Sequence, residues 1–173
     1  MFDTLMLLVV ASLAFRLSGS LGAGRFRSPR VSAAHGLAIM LLATGSAHFV
    51  PDSVTVMPGH TDLVAMVPPI VPFPSQAVYT TGVLELLGAL GLVLSRTRRA
   101  AGACLAALFV LMLPANIHAG LAEVPFDGHA ATPLWFRVPE QAVYIAVALW
   151  AAGVTRRTVA RRRAHPLPTP SRR

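Results

Sequence analysis

Apolar residues run along this chain in long blocks, separated by short connections rich in arginine, glycine, proline or acidic residues. A bilayer core of about 30 Å needs about 20 mostly apolar residues as helix. Five blocks meet that requirement to different degrees: Thr4–Gly24, Val31–Val50, Gln76–Ser95, Ala100–Ala122 and Val138–Thr155. The first is the weakest, because Arg16 and a glycine- and serine-rich end follow its apolar start. The last is shorter but apolar through its middle. The pattern predicts an all-α transmembrane helix bundle, with a four-helix core of two helix hairpins and one additional N-terminal helix. In domain terms these are an N-terminal helix over 1–24, a four-helix membrane domain over 25–155, and a disordered basic tail over 156–173.

Composition strengthens this picture. Of 173 residues, 54% are hydrophobic and 13% charged, against about 25% charged in a typical soluble domain. Mean hydropathy is +0.61. A chain of this length cannot bury so much apolar surface in one core, so lipid is the expected solvent. The composition, rich in alanine and using arginine alone for its positive charge, points to a GC-rich bacterial genome.

Charge then sets orientation. Arg25, Arg27 and Arg30 lie between the first and second blocks, and Arg96, Arg98 and Arg99 between the third and fourth. Seven more follow the fifth, so 13 of 15 arginines fall in connections that share a side. The other connections carry Asp52, Asp62, Glu123 and Asp127, with Arg137 as their one positive charge. The positive-inside rule places the N-terminus outside and the C-terminus in the cytoplasm of a multi-pass bacterial inner-membrane protein. Asp3 before the first block and Arg16 within it reverse the polarity of a secretory signal, which suits an uncleaved anchor. The tail, with its Arg161–Arg163 run and three prolines in Pro166–Pro170, reads as a topology anchor.

Pro74-Ser75-Gln76-Ala77-Val78-Tyr79 recurs as Pro139-Glu140-Gln141-Ala142-Val143-Tyr144, each copy placed at the outer start of a block. The simplest account is two hairpins related by an axis along the membrane normal, a parallel repeat known from some transporters. Each motif also works as a helix start, since proline is tolerated in the first turn.

Polar groups at membrane depth are the candidate chemistry. Glu85 is the tenth residue of Gln76–Ser95, near the midplane, where a carboxylate must be paired, protonated or wet. It is the candidate proton carrier. Gly82, Gly88 and Gly91 beside it permit close helix contact. His48, Gln76, Tyr79, Asn116, His118, Gln141 and Tyr144 gather at the outer ends of the blocks and are expected to line one outward-facing pocket. Pro114 frees a backbone carbonyl that Asn116 or another polar group can satisfy. His35 belongs near the inner interface, and the single cysteine, Cys104, reads as a small buried core residue. A lone cysteine excludes thiol–disulfide exchange by this chain alone. His48 and His118 lack close ligand spacing, which disfavours haem, and no metal site is predicted. The loop Pro51–Pro74, with six prolines and an apolar stretch Leu63–Ile70, is expected to cap the bundle. No phosphate loop, nucleophile elbow or nucleic-acid patch is present.

Gly45-x-x-His48-Phe49, the Pro68-Pro69 loop, the run Val78–Glu85, the arginine turn at 96–99, Pro114–His118 and Pro139-x-Gln141 together resemble the DoxX-like membrane proteins. The resemblance spans about Val31–Val154 and implies a four-helix membrane bundle. Glu85 and Asn116 match recurrent positions of that family. Its name derives from a subunit linked to thiosulfate:quinone oxidoreductase, and its relatives include redox-maturation factors and trafficking chaperones. Three functions follow as expectations. The first is a membrane subunit of a redox system that engages quinone or a partner redox protein. The second is a non-catalytic accessory protein or chaperone that binds another membrane protein. The third is a small-solute carrier. The bilayer is the expected partner in every case, and nucleic acid in none.

Overall fold

The structure is a computed structural model that describes residues 3–51, 53–54, 59–124 and 132–153. Among these residues the chain is all-helical, with no strand. Its α-helices are α1 (Asp3–Ser20), α2 (Pro29–Ala47), α3 (His60–Ala65), α4 (Pro74–Val93), α5 (Arg98–Leu121) and α6 (Leu134–Ala151), with a 3-10 turn at Gly24–Arg27. The five long helices coincide with the five apolar blocks to within a few residues at each end. The tail beyond 153 lies outside the described residues, as do Asp52 and Asp127.

The helices pack in a closed circuit: α2 against α4, α4 against α5, α5 against α6, and α6 back against α2, with α1 laid on α2. Neighbours in the circuit are antiparallel, because small residues near one end of each helix meet the other end of the next. A Cβ on Gly82 would stand 2.5 Å from His48 Cβ, and one on Gly91 would stand 2.7 Å from Ala101 Cβ. Gly88 leaves the same kind of room for the Leu105 side chain, and Gly102 for Ala152. Backbones therefore approach closely along α4 and α5, as the glycine spacing predicts. The core is aliphatic: Leu37, Met40, Leu41, Leu92 and Leu105 are fully buried, joined by Tyr144 and Ala148 of α6 and by Leu8 of α1.

Two helices, α4 and α5, are long and apolar enough to cross a membrane, and Thr4–Ser20 is apolar but shorter. At about 1.5 Å per residue, 20 residues reach about 30 Å, the thickness of the hydrocarbon layer. Their outward faces carry Val83, Leu84, Leu87, Leu90, Val110 and Leu111, all exposed.

Both ends of the bundle differ in charge. Arg16, Arg25, Arg27, Arg30, Arg96, Arg98 and Arg99 collect at the end where α2 and α5 start. There Arg98 Nε donates to Leu92 O at 2.7 Å, and Arg25 Nη2 donates to Val93 O at 2.8 Å. These carbonyls close α4, where the last turn has no intrahelical donors left and the helix dipole favours a cation.

Two sequence expectations, on Cys104 and on Pro139, are corrected. Cys104 is exposed on α5 rather than buried, because the outward face of such a helix is as apolar as its core. His35 is buried within the protein at the arginine-rich end: its ring sits 5.0 Å edge-on from Phe26 and 5.3 Å from Phe15. Pro139 does not begin its helix. α6 starts five residues earlier, at Leu134, and carries Pro139 inside, since the apolar Leu134-Trp135-Phe136 continues the helix upstream and Arg137 finds partners in Asn116 and Thr132. The loop between α2 and α4 contains the short helix α3, capped at its start by Asp62, whose Oδ2 accepts from Gly59 N at 3.0 Å.

Candidate functional site

Most of the candidate polar side chains lie in the arginine-poor half of the bundle, in two separate networks on two helix pairs. The first lies between α2 and α4. Glu85 is 3% exposed and His48 is 4% exposed. Thr44 Oγ1 donates to Glu85 Oε2 at 2.6 Å, and His48 Nε2 stands 3.8 Å from Glu85 Oε1. His48 Nδ1 is 2.7 Å from Val78 O. A carbonyl can only accept, so Nδ1 carries a proton and Nε2 is the nitrogen turned to the carboxyl group. Thr81 Oγ1 also donates to Val78 O, at 2.9 Å. Glycines make this contact possible. Gly82 admits the His48 ring, and a Cβ on Gly45 would press within 3.2 Å of Glu85 Cβ.

The loop closes over this pair. His60 Nδ1 donates to His48 O at 2.9 Å, and His60 Nε2 pairs with Ser75 Oγ at 2.9 Å. The His60 ring lies 4.0 Å from Tyr79 at 13°, and Tyr79 lies 5.7 Å from Phe49 at 27°. Three stacked rings thus sit at the end of α2. Tyr79 is 44% exposed.

The second network lies between α5 and α6. Arg137 Nη1 donates to Asn116 Oδ1 at 2.8 Å, and Nη2 donates to Thr132 Oγ1 at 2.9 Å. Asn116 Nδ2 reaches Gln141 Oε1 at 3.4 Å, and Gln141 Nε2 donates to Phe109 O at 2.8 Å. The acceptor is one residue before Val110, whose carbonyl Pro114 deprives of its usual donor. Gln141, rather than Asn116, therefore serves the backbone near the proline. Tyr144 belongs to a third contact. Its hydroxyl donates to Glu140 Oε1 at 2.6 Å, and Thr4 Oγ1 of α1 donates to the same oxygen at 3.1 Å.

Of the sequence-predicted residues, Glu85 and His48 come together directly, with Tyr79 one ring away from the cover. Asn116 and Gln141 come together separately. His118 Nδ1 donates to Met66 O at 3.2 Å and ties the loop to α5. Gln76 is exposed, and its carbonyl accepts from Thr80. Sequence reading missed Thr44, Thr81, His60 and Glu140 as partners. Two of these had a local signal: Thr44 is one helical turn before His48, and Thr81 one turn before Glu85, hence on the same face. His60 had none, since a loop delivers it. Among the described residues, no buried side-chain nitrogen or oxygen lacks a partner, and no three metal-ligating groups converge.

The repeat that begins α4 and recurs in α6 leads to two different environments. Tyr79 is half-exposed and stacked, whereas Tyr144 is buried and hydrogen-bonded. Gln76 faces out, and Gln141 faces in.

A family model described as a domain of unknown function (DUF8561) matches residues 37–152, about two thirds of the chain, and the chain belongs to that family. The matched segment contains both networks and excludes α1. No curated protein and no solved structure matches the chain.

Proposed function

We propose that this DUF8561 protein is a multi-pass protein of the bacterial cytoplasmic membrane. In it α2, α4, α5 and α6 form a four-helix membrane core, and α1 is an added span. The N-terminus lies outside and the arginine-rich end faces the cytoplasm. Its function is that of a membrane subunit of a quinone-linked redox system, with a polar site near the outer face and Glu85 handling a proton beneath it, near the midplane. The single observation that carries this reading is the Glu85–His48 pair, buried between two apolar helices with one carboxyl oxygen fixed by Thr44. An ionisable pair at that depth is expensive, and such groups are retained for use. The resemblance of the Val78–Glu85 run and of Pro114–His118 to DoxX-like proteins supports the same reading.

A quinone, when bound, supplies two-electron chemistry that also takes up or releases two protons, and its electrons would pass to or from a partner dehydrogenase. The chain's own residues would do the rest. Thr44 holds the Glu85 carboxyl so that Oε1 faces His48 Nε2. One proton can then reside on either atom after a small side-chain movement. Phe49, Tyr79 and His60 stack at the end of α2, and the exposed Phe49 and Tyr79 rings suit contact with a planar ring. Packing of α2 on α4 keeps the carboxyl buried.

The test begins with detergent-purified protein, solvent-extracted for quinone and assayed for quinone-linked activity with its partner dehydrogenase. Bound quinone, and activity lost in Glu85→Gln with folding intact, supports the reading. Absence of both bound quinone and any deletion phenotype in quinone-linked respiration overturns it. One observation favours a second reading, an accessory protein that binds another membrane protein: among the described residues every buried side-chain nitrogen and oxygen already has a partner within the chain. An accessory role predicts that Glu85→Gln is tolerated.

A further inference from the structure

The arginines beside α4 are arranged more specifically than topology requires. Arg25 Nη2 and Arg98 Nη2 both donate to the single oxygen Val93 O, at 2.8 Å and 3.1 Å. Two guanidinium groups that share one acceptor sit side by side. Like charges so close repel unless an anion stands between them. Among the described residues the carboxylates Asp62, Glu85, Glu123 and Glu140 are all elsewhere, in the opposite half of the bundle or at its midplane. Each guanidinium has five N–H donors, of which the carbonyls of α4 take one from Arg25 and two from Arg98. Arg98 is also the first residue of α5, where the helix end itself favours negative charge. At the same end Arg30 lies over the Trp150 ring, 5.9 Å from its centroid, and that indole is partly exposed, as interfacial tryptophans are.

We infer that Arg25 and Arg98 form a binding site for the phosphate of an anionic phospholipid in the leaflet at the arginine-rich end. The phosphate oxygens bridge the two guanidinium forks, and Thr97, exposed beside them, borders the site. The site rests on the membrane reading above, and it concerns lipid rather than the Glu85 chemistry. Its role is to lock the turn between α4 and α5 to the bilayer surface.

The test uses full-length protein in nanodiscs of zwitterionic lipid containing increasing fractions of anionic phospholipid, with thermal unfolding as the readout. The expected result is a saturable rise in unfolding temperature for the native chain. In Arg25→Gln/Arg98→Gln the lipid fraction needed for half the rise increases about 30-fold, from about fivefold for each basic contact near a charged surface. The dependence on lipid fraction, not the absolute unfolding temperature, is compared, because both arginines also close α4. The charge-matched variant Arg96→Gln/Arg99→Gln is expected to keep the native response. An equal loss in that control overturns the site in favour of diffuse charge attraction. So does an unchanged response in the Arg25/Arg98 variant, or an equal rise with inorganic phosphate at matched ionic strength. Failure of the native chain to enter zwitterionic nanodiscs at all would instead overturn the membrane reading itself.

Discussion

The α2–α4 and α5–α6 interfaces are built from similar helices, run in the same antiparallel sense and carry the same six-residue motif, yet their polar contents differ in kind. Between α2 and α4 the partners are a carboxyl, an imidazole and a threonine hydroxyl, groups among which a proton can move. Between α5 and α6 they are a guanidinium and two amides, which do not exchange protons near neutral pH. The shared motif shows where the difference arises. Ser75 of the first copy meets His60 from the loop, while Glu140 of the second meets Tyr144 of its own helix and Thr4 of α1. A short motif fixes a helix, and the neighbours it acquires fix the chemistry. On this view the first interface carries function and the second carries structure.

The largest effect that would break this comparison is on activity. Glu85→Gln keeps the shape of the side chain and removes its proton exchange, so quinone-linked turnover should fall by about 10²-fold or more, the usual scale for a lost acid or base. The unfolding temperature should change little, and an unaltered turnover would assign the pair to structure. Next in size is Gly82→Leu. Its side chain would enter the space of the His48 ring, and overpacking of this kind costs about 1–3 kcal/mol. Denaturation in mild detergent should show that loss, together with the loss of any quinone binding. Gln141→Leu sharpens the other side. It removes the donor to Phe109 O and should cost about 1–2 kcal/mol of stability, with turnover per folded molecule unchanged. The smallest effect separates the two tyrosines. Tyr144→Phe loses a buried hydrogen bond and about 1 kcal/mol, whereas Tyr79→Phe keeps its stacking and should be neutral in the same unfolding assay.

Much of the fold was legible because apolar runs of about 20 residues leave few alternatives. Which face of each helix turns inward was not legible. Cys104 shows why: it lies among alanines and leucines on every side, and nothing in the residues separates a core-facing from an outward-facing position. The glycines were better guides, since Gly82, Gly88 and Gly91 do mark close contacts. The start of α6 was misplaced because Pro139 resembles a first-turn proline, while the helix had already begun at Leu134. Of the candidate site, Glu85 stood out by its depth. His48 could be named as polar and near the outer end, but its meeting with Glu85 depends on how α2 and α4 are set against each other. His60 was invisible, because only the fold of the loop lays it on Tyr79.

The central claim is that Glu85 and His48 share a proton that moves when the site works. Infrared difference spectroscopy of the protein in a bilayer, recorded between oxidised and reduced quinone, tests this most directly. The expected result is a change in the carbonyl stretch of a protonated carboxyl group that disappears in Glu85→Gln and shifts in His48→Gln. A difference spectrum identical in the native chain and in Glu85→Gln would contradict it.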